Sequence, residues 1–496
     1  MNIIEIIFGS LLGFNYMKLR IFFNHYFPEI LACIFVILGV FGVLHHDMWR
    51  DELQAWMIAR NSHSLAELYF NLRYESHPPL WYWLLMLIQR FSLNPISMQW
   101  AALSIASMNA WLVLRFSPFS KFQNILLIFG YFLFYEYALM SRSYGLDVLF
   151  SFLFCIVFKH SKNNYLFLSL VLILLTLNSM MGLILAVSFG AFLIFEFLEN
   201  LSIYRKDFPQ AILALVLLIT AFCFSLNSMV PPQDGGYIKN LIGKHLFQNL
   251  CSLVNGVYLF DKFNLLLFLH SSFLIYSSFV LVVSFSFFIR KKSVLFLYIL
   301  GEVLFVTFFL IVSSYPRHFG HLFILLISCW WIFPKISRNA NAIIYILLSI
   351  QFALGVSSYS MCFKHHESPD AIQAAKYIQS HGLDELPMLG DSFGSSCIAG
   401  YLDRSIFYVR DHRWGTFVLY NNNKNPSQKE VLKSAISLSQ KFKSDILLIL
   451  TYSLNKDQIK NLNALSQVQI LAIFSKSFDT TSQIYLYKYN QENGLI

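Results

Sequence analysis

The chain has 496 residues, of which 57% are apolar and only 13% are charged. This composition leaves too little polar surface to cover a soluble globule of that size, so it excludes a soluble protein. The net charge of +9 is scattered among the loops between apolar runs, where membrane topology accounts for it, and no nucleic-acid partner is predicted.

Apolar runs of about 20 residues, enough to cross a ~30 Å hydrocarbon core as helix, recur between residues 26 and 358. The first follows Lys18 and Arg20 and has no small-residue cleavage site, so we expect a retained anchor. The eleven predicted spans are 26–46, 97–115, 122–139, 145–159, 164–178, 181–198, 209–228, 263–289, 294–313, 320–334 and 341–358. They predict an all-α polytopic membrane bundle, with the amino terminus inside and the carboxyl terminus outside because basic clusters occupy alternate loops.

Residues 80–91 form an apolar segment of about a dozen residues, too short to span a bilayer. If it crossed, the basic cluster from Arg115 to Lys121 would move outside and every later loop would invert. We therefore predict an interfacial or re-entrant helix on the outer face, within a first outer loop of residues 47–96.

The pattern changes near residue 359, where hydropathy falls. Ser368, Pro369 and Asp370 have the cap and early proline of a helix start, and 428–442 has helical character. The predicted strands are 387–390, 406–409, 446–450 and 468–474. We predict a transmembrane domain of residues 1–358 and a small extracytoplasmic α/β domain of residues 359–496.

Two motifs stand out in the first outer loop. Met48-Trp49-Arg50-Asp51-Glu52-Leu53-Gln54-Ala55-Trp56 carries two adjacent carboxylates at the end of a predicted span, and His77-Pro78-Pro79-Leu80-Trp81-Tyr82-Trp83 follows. A charge next to hydrocarbon is costly unless it has a partner or a task. Asp51 and Glu52 are thus candidates for a general base or a metal ligand, or they mark the water interface.

Together these motifs resemble the GT-C glycosyltransferases, in particular the dolichyl-phosphate-mannose protein mannosyltransferases and the bacterial lipid A aminoarabinose transferases. The resemblance covers chiefly residues 26–160. It implies that Asp51 is the base or acceptor-positioning residue, with Glu52 beside it, and that His77 and Pro78 lie near the lipid phosphate. Many bacterial relatives have lysine before the two prolines, whereas this chain has His77 there, as the protein mannosyltransferases do. The resemblance therefore does not imply an invariant positive charge on the donor phosphate at this position.

Two further clusters belong to the same predicted face. Tyr135-Glu136-Tyr137-Ala138 followed by Ser141-Arg142-Ser143-Tyr144 resembles the family's acidic, arginine and tyrosine pattern, and Tyr315-Pro316-Arg317-His318 lies at the outer end of a later span. Arg142 and Arg317, with Tyr144 and His318 beside them, are candidates to bind the donor phosphate, because a permanently charged fork suits that task. The alternative is that each arginine reaches to lipid headgroups.

The resemblance implies an enzyme that takes a sugar from a polyprenyl-phosphate donor at the outer face of a bacterial inner membrane. Its acceptor would be an envelope glycan, a lipid or a protein. No cofactor is fixed, although Asp51, Glu52 and His77 could bind a divalent cation. The alternatives are a transporter or lipid-linked sugar flippase, which would need charges deep in the bundle, and a catalytically silent assembly subunit.

Overall fold

The structure, a computed structural model, describes residues 25–234, 287–312, 315–335, 337–364, 370–391, 393–421, 424–455, 467–474 and 483–491. Most of the predicted span 263–289 lies outside these ranges, as do Ser368 and Pro369 of the predicted helix start.

The described part of residues 25–364 is helical, and ten of the predicted spans coincide with helical segments. The helices are α1 (Phe27–Leu44), α2 (Arg50–Arg60), α3 (Leu65–Leu72), α4 (Leu80–Gln89), α5 (Ile96–Phe116), α6 (Lys121–Ile128), α7 (Tyr144–His160), α8 (Tyr165–Thr176), α9 (Met180–Glu199), α10 (Phe208–Met229), α11 (Lys292–Ile311), α12 (Pro316–Ile332) and α13 (Arg338–Lys364). A helical turn, Leu201–Tyr204, and a 3₁₀ turn, Arg205–Asp207, join α9 to α10.

Five helices in the described ranges are long and apolar enough to cross a membrane. They are α1, α9, α10, α11 and residues Arg338–Ser360 of α13. The chain is therefore a multi-pass membrane protein. The other helices of the bundle are shorter or less apolar than these five. The total of eleven membrane spans stays a prediction.

The predicted span 122–139 is interrupted in the structure. Helix α6 ends at Ile128, and after Gly130 the chain continues as a six-residue π-helix, Tyr131–Glu136. Helix α13 packs tightly here, since a Cβ added to Gly355 would lie 2.4 Å from the Phe129 carbonyl oxygen. A π-helix widens the backbone and occurs frequently at functional sites. This one leads into the loop that carries Arg142.

Residues 47–96, the predicted first outer loop, contain three helices. Helix α4 has 10 residues, so it is about 15 Å long and too short to span a bilayer. Its start is fixed by a 3.0 Å hydrogen bond from the Leu80 amide to the Leu177 carbonyl oxygen. Its location in the membrane interface stays a prediction.

The C-terminal region is an α/β domain with a six-stranded sheet of order β3-β2-β1-β4-β6-β5. Its elements are α14 (Asp370–Ser380), β1 (Met388–Gly390), α15 (Phe393–Leu402), β2 (Ile406–Tyr408), β3 (Arg413–Gly415), α16 (Gln428–Phe442), β4 (Ile446–Leu450), β5 (Val468–Phe474) and β6 (Ile484–Tyr489). Strand β1 is parallel to β2 and β4, and the other pairs are antiparallel. Apolar side chains on both faces of β4 give it two small cores.

This domain packs against residues 47–96, with α15 lying on α2. Hydrogen bonds between them include those from the Tyr401 hydroxyl to the Met48 carbonyl oxygen (2.6 Å), from the Asn61 amide to the Thr416 hydroxyl (2.6 Å) and from Arg60 to Asp403. The C-terminal domain is therefore packed against, and hydrogen-bonded to, the segment that contains Asp51 and Glu52.

Candidate active site

Asp51 lies in the first turn of α2, among three arginines from different parts of the chain. Its Oδ2 atom is 3.1 Å from Nη2 of Arg317, and its Oδ1 atom is 3.2 Å from Nε of Arg50. Arg142 donates to its backbone carbonyl oxygen. The side chains of Asp51 and Arg317 are 14% and 16% exposed, so the pair is largely shielded from water but still open on one side.

The three neighbouring arginines determine the ionisation state of Asp51. Burial favours the neutral acid, but Arg142, Arg50 and Arg317 outweigh burial and hold the pKa of Asp51 below its usual 3.8. The carboxylate is therefore ionised at neutral pH. An ionised carboxylate can orient a hydroxyl group and accept its proton as a new bond forms.

Arg142 and Arg317 each keep a free donor. Their Nε atoms are buried and have no hydrogen-bond acceptor among the described atoms. The guanidinium of Arg317 lies 4.7 Å from the ring centres of Trp49 and Tyr315, and its backbone carbonyl accepts a 2.7 Å hydrogen bond from Tyr137. Buried unpaired donors are costly, so two of them on neighbouring arginines indicate a site for an anion.

Glu52 has a different environment from Asp51. Its side chain is fully buried, and its carboxylate accepts hydrogen bonds from the amides of Trp49 (3.0 Å) and Ser141 (2.6 Å) and from Nε2 of His46 (3.0 Å). The bond to Trp49 caps the amino terminus of α2, and the bond to Ser141 joins this helix to the loop of Arg142. The geometry therefore gives Glu52 a role in holding Asp51 and Arg142 together.

His77 and Pro78 follow a strained turn. Ser76 has a φ of 53°, in the left-handed region that non-glycine residues rarely adopt. Burial, together with Arg142, lowers the pKa of His77 to about 3, so its imidazole is neutral. His77 can thus offer a hydrogen bond but carries no charge. Pro78 is buried just before α4.

Tyr144 and His318 form a pair behind the arginines. Nδ1 of His318 accepts a 3.1 Å hydrogen bond from the Tyr315 amide, which leaves its Nε2 atom to donate to the Tyr144 hydroxyl at 3.1 Å. The Arg142 guanidinium in turn donates a hydrogen bond to the Tyr144 hydroxyl oxygen. Both predicted residues therefore support Arg142 within the site.

A buried polar network lies beneath this pair. The Asp147 carboxylate accepts hydrogen bonds from Asn178 (2.7 Å), Ser179 (2.6 Å) and Nε2 of His321 (3.1 Å). Both Asp147 and His321 are fully buried, near the first turns of α7 and α12. Gly182 makes room for it, because an added Cβ would lie 2.3 Å from Asp147 Oδ1. The network ties together three helix ends below the site.

Sequence reasoning missed three residues that belong to this site, namely Gln54, Glu75 and Tyr420. Glu75 accepts a 2.8 Å hydrogen bond from Gln54, and Tyr420 of the C-terminal domain lies near Arg50, Asp51, Glu75 and Arg142. The position of Glu75, two residues before His77-Pro78-Pro79, was a signal in the sequence. Nothing local could have shown Gln54 or Tyr420.

The structure gives no grounds for choosing a metal. Within the described ranges, no group of three or more His, Cys, Asp or Glu side chains is arranged to hold a metal ion. Asp51 and Glu52 already face protein donors, and His77 stays a candidate ligand by prediction only.

The architecture is similar to that of a solved membrane protein. The crystal structure of ArnT from Cupriavidus metallidurans in the apo state matches with a TM-score of 0.55 and 11% sequence identity, over 93% of this chain and 98% of that chain. The chain has the fold of ArnT. This similarity agrees with the helical bundle and the small C-terminal domain expected from the sequence, and the match extends into that domain.

The likeness is one of structure rather than of sequence. No protein-family model matches the chain, and no curated protein matches it significantly in sequence. What the shared fold contributes is the arrangement of the bundle and the C-terminal domain.

Proposed function

We propose that the protein is a membrane glycosyltransferase that takes a sugar from a polyprenyl-phosphate donor. The observation that carries the proposal is the placement of Asp51 against Arg142 and Arg317, whose buried Nε donors have no acceptor within the part of the chain that the structure describes. A carboxylate beside an anion site provides the two functions that sugar transfer from a lipid phosphate requires. The fold shared with ArnT supports the same conclusion.

In this proposal the leaving phosphate binds at Arg142 and Arg317, where fixed positive charge stabilises the negative charge that develops on its oxygens. His77 contributes a neutral hydrogen bond, and Tyr144 and His318 support Arg142. Asp51 orients the acceptor hydroxyl and takes its proton as the new glycosidic bond forms. Attack from the face opposite the phosphate inverts the anomeric centre.

The acceptor in this proposal is an envelope glycan, lipid or protein, and the site faces the periplasm or cell exterior of a bacterial inner membrane. Asp51, Arg142 and Arg317 all lie near helix ends on the side of the bundle that bears the C-terminal domain. A transporter or flippase would instead need its charged groups along a path through the bundle. Asp147 and His321 are buried but also lie at helix ends.

The test compares the wild type with Asp51→Asn for transfer from a mixed pool of polyprenyl-phosphate sugars to envelope acceptors, at matched membrane levels. Asp384→Asn, in a turn of the C-terminal domain away from the site, is the matched control. Transfer lost only in the Asp51 variant would support the proposal. Unchanged transfer would reject the role of Asp51, and no transfer by the wild type would favour a transporter.

A second test addresses the orientation. A reporter fused after residue 364, the last residue of α13, should be extracytoplasmic. A cytoplasmic reporter would place the site on the wrong side of the membrane for this proposal.

A further inference from the structure

A cavity of about 220 Å³ lies between α8, α9 and α10. Its lining is almost entirely apolar and includes Leu172, Leu193, Ala211, Leu215 and Leu218. Helix α8 ends and α9 begins beside the Asp147 network, whereas the cavity is lined by α8 from Tyr165 and by α9 as far as Leu198. The cavity therefore lies in the half of the bundle opposite the candidate active site.

The mouth of the cavity faces the hydrocarbon of the membrane. Within the described ranges, the lining residues Leu198, Phe208 and Ile212 are between 47% and 63% exposed. Helices α9 and α10 are long and apolar enough to span a bilayer, so these exposed side chains face acyl chains. The lining runs along α10 from Phe208 to Leu218, about 15 Å of helix and half of a ~30 Å hydrocarbon core. The cavity thus has the length of an acyl chain in one leaflet.

Aromatic rings mark the end of the cavity that lies near the membrane surface. The ring centre of Phe197 is 5.7 Å from that of Tyr165 and 6.2 Å from those of Tyr204 and Phe208. Tyrosine is enriched at the level of the lipid headgroups, because its ring is apolar and its hydroxyl can contact water. Tyr165 begins α8 and Tyr204 lies in the turn before α10. A lipid whose chain fills the cavity would therefore have its headgroup beside these tyrosines.

Basic side chains lie at the same end, on both sides of the cavity. Lys162 precedes α8 and Lys206 precedes α10, and both are exposed. A 3.2 Å hydrogen bond from the Asn163 amide to the Asp207 carboxylate joins the two segments that carry these lysines. The two ammonium groups thus flank the place where the headgroup would lie.

The carboxylates at this end of the bundle have partners of their own. Asp207 accepts the hydrogen bond from Asn163. Glu196 lies 2.6 Å from the Lys291 ammonium, and Glu199 lies 3.9 Å from it. The charge that Lys162 and Lys206 offer to the membrane surface is therefore positive, and it suits an anionic headgroup.

We propose that this cavity binds one acyl chain of an anionic phospholipid, with the headgroup between Lys162 and Lys206. Because the basic loops are predicted to be cytoplasmic, the lipid belongs to the cytoplasmic leaflet. It fills the space between α8, α9 and α10. The site is separate from the sugar donor, whose phosphate is proposed at Arg142 and Arg317, and it does not depend on sugar transfer.

The experiment counts the lipids bound to the full-length protein in detergent by native mass spectrometry. Dioleoyl phosphatidylglycerol or dioleoyl phosphatidylethanolamine is added, so that the two lipids differ only in the headgroup. Ala211→Phe fills the cavity, and Ala221→Phe, a partly buried position on α10 outside the lining, is the matched control.

A second pair of variants tests the headgroup. The double variant Lys162→Gln and Lys206→Gln removes the two charges, and its control is the double variant Lys335→Gln and Arg338→Gln, at exposed positions between α12 and α13. All four positions are exposed, so these variants test the proposal even if Ala211→Phe fails to fold.

We expect the wild type to bind one phosphatidylglycerol about tenfold or more tightly than phosphatidylethanolamine, because two lysines attract the anionic headgroup. Ala211→Phe should weaken the binding of phosphatidylglycerol about tenfold or more, since the added ring occupies the space of the acyl chain. Ala221→Phe should bind like the wild type. The Lys162 and Lys206 double variant should bind both phospholipids equally, whereas its control should keep the preference.

The outcomes that would overturn the proposal are specific. Binding of wild-type strength in a folded Ala211→Phe protein would reject the cavity as the site. Equal affinity of the wild type for the two phospholipids would reject an anionic lipid. Undecaprenyl phosphate that displaces phosphatidylglycerol one for one would assign the cavity to the tail of the donor instead. A wild type that binds no phospholipid would leave the cavity to another segment of this chain.

Discussion

Replacing Glu52 should reveal whether this residue acts by structure or by chemistry. Glu52→Ala leaves the buried amides of Trp49 and Ser141 and the His46 ring without their acceptor. A hydrogen bond to a charged group contributes about 1.5–3 kcal/mol, and emptying a buried charged site costs about 3–5 kcal/mol in total. Glu52→Gln keeps one oxygen acceptor but adds a donor, so we expect a smaller loss of about 1–3 kcal/mol.

The assay is equilibrium unfolding in detergent micelles, followed by tryptophan fluorescence, with Glu67→Ala as the control. Glu67 is on the exposed start of α3, and losing its contact with the His63 amide should cost about 1 kcal/mol or less. If Glu52→Ala unfolds like the wild type, the three hydrogen bonds do not stabilise the protein as described. A Glu52→Gln protein of wild-type stability that fails to transfer sugar would instead assign Glu52 to the chemistry.

Three further predictions concern the same region. Arg317→Lys keeps the positive charge but loses the planar guanidinium and its stacking on Trp49. The affinity for undecaprenyl phosphate should therefore fall about tenfold or more. An affinity equal to that of the wild type would argue against a bidentate contact between Arg317 and the phosphate. Because the pKa of Asp51 is lowered, its contribution to stability is present above pH 3.8 and is lost as the pH falls through the lowered pKa. Acid unfolding of Asp51→Asn should therefore lack the loss of stability that ionised Asp51 causes when it is protonated. Gly182→Ala should destabilise the protein by about 1–3 kcal/mol, because the added methyl group clashes with the polar network around Asp147. The control is Gly190→Ala, whose added Cβ would lie 3.2 Å from a leucine methyl group and should destabilise the protein less. Equal losses of stability in the two variants would refute the role of close packing at Gly182.

The sequence predicted secondary structure best where the pattern is strong. The predicted limits 428–442, 446–450 and 468–474 coincide with α16, β4 and β5. Strands β3 and β6 were missed. Strand β3 has only three residues, too few to show the alternation of apolar and polar residues that indicates a strand. Strand β6 has aromatic and apolar residues on both faces, so it shows no such alternation either. The break after α6 was also missed, since apolar composition alone does not distinguish an α-helix from a π-helix.

The candidate site was predictable in its parts but not in its assembly. Motifs at helix ends identified Asp51, Arg142 and Arg317, and the structure brings these three together. The contact between Gln54 and Val418 joins residues 364 positions apart, and no local pattern reports such a pairing. Glu52 has the same motif signal as Asp51. The structure alone shows that Glu52 is fully buried on backbone amides, whereas Asp51 contacts arginines.

The fastening of the C-terminal domain to α2 has a consequence for biogenesis. The ribosome delivers α2 early, whereas Tyr401, Thr416 and Val418 emerge more than 340 residues later, after every described helix of the bundle. Until then, the outer surface of α2 has no cover and Gln54 lacks its backbone partner. A nascent chain therefore holds an incomplete site throughout membrane insertion, and folding of the last domain is the step that finishes it.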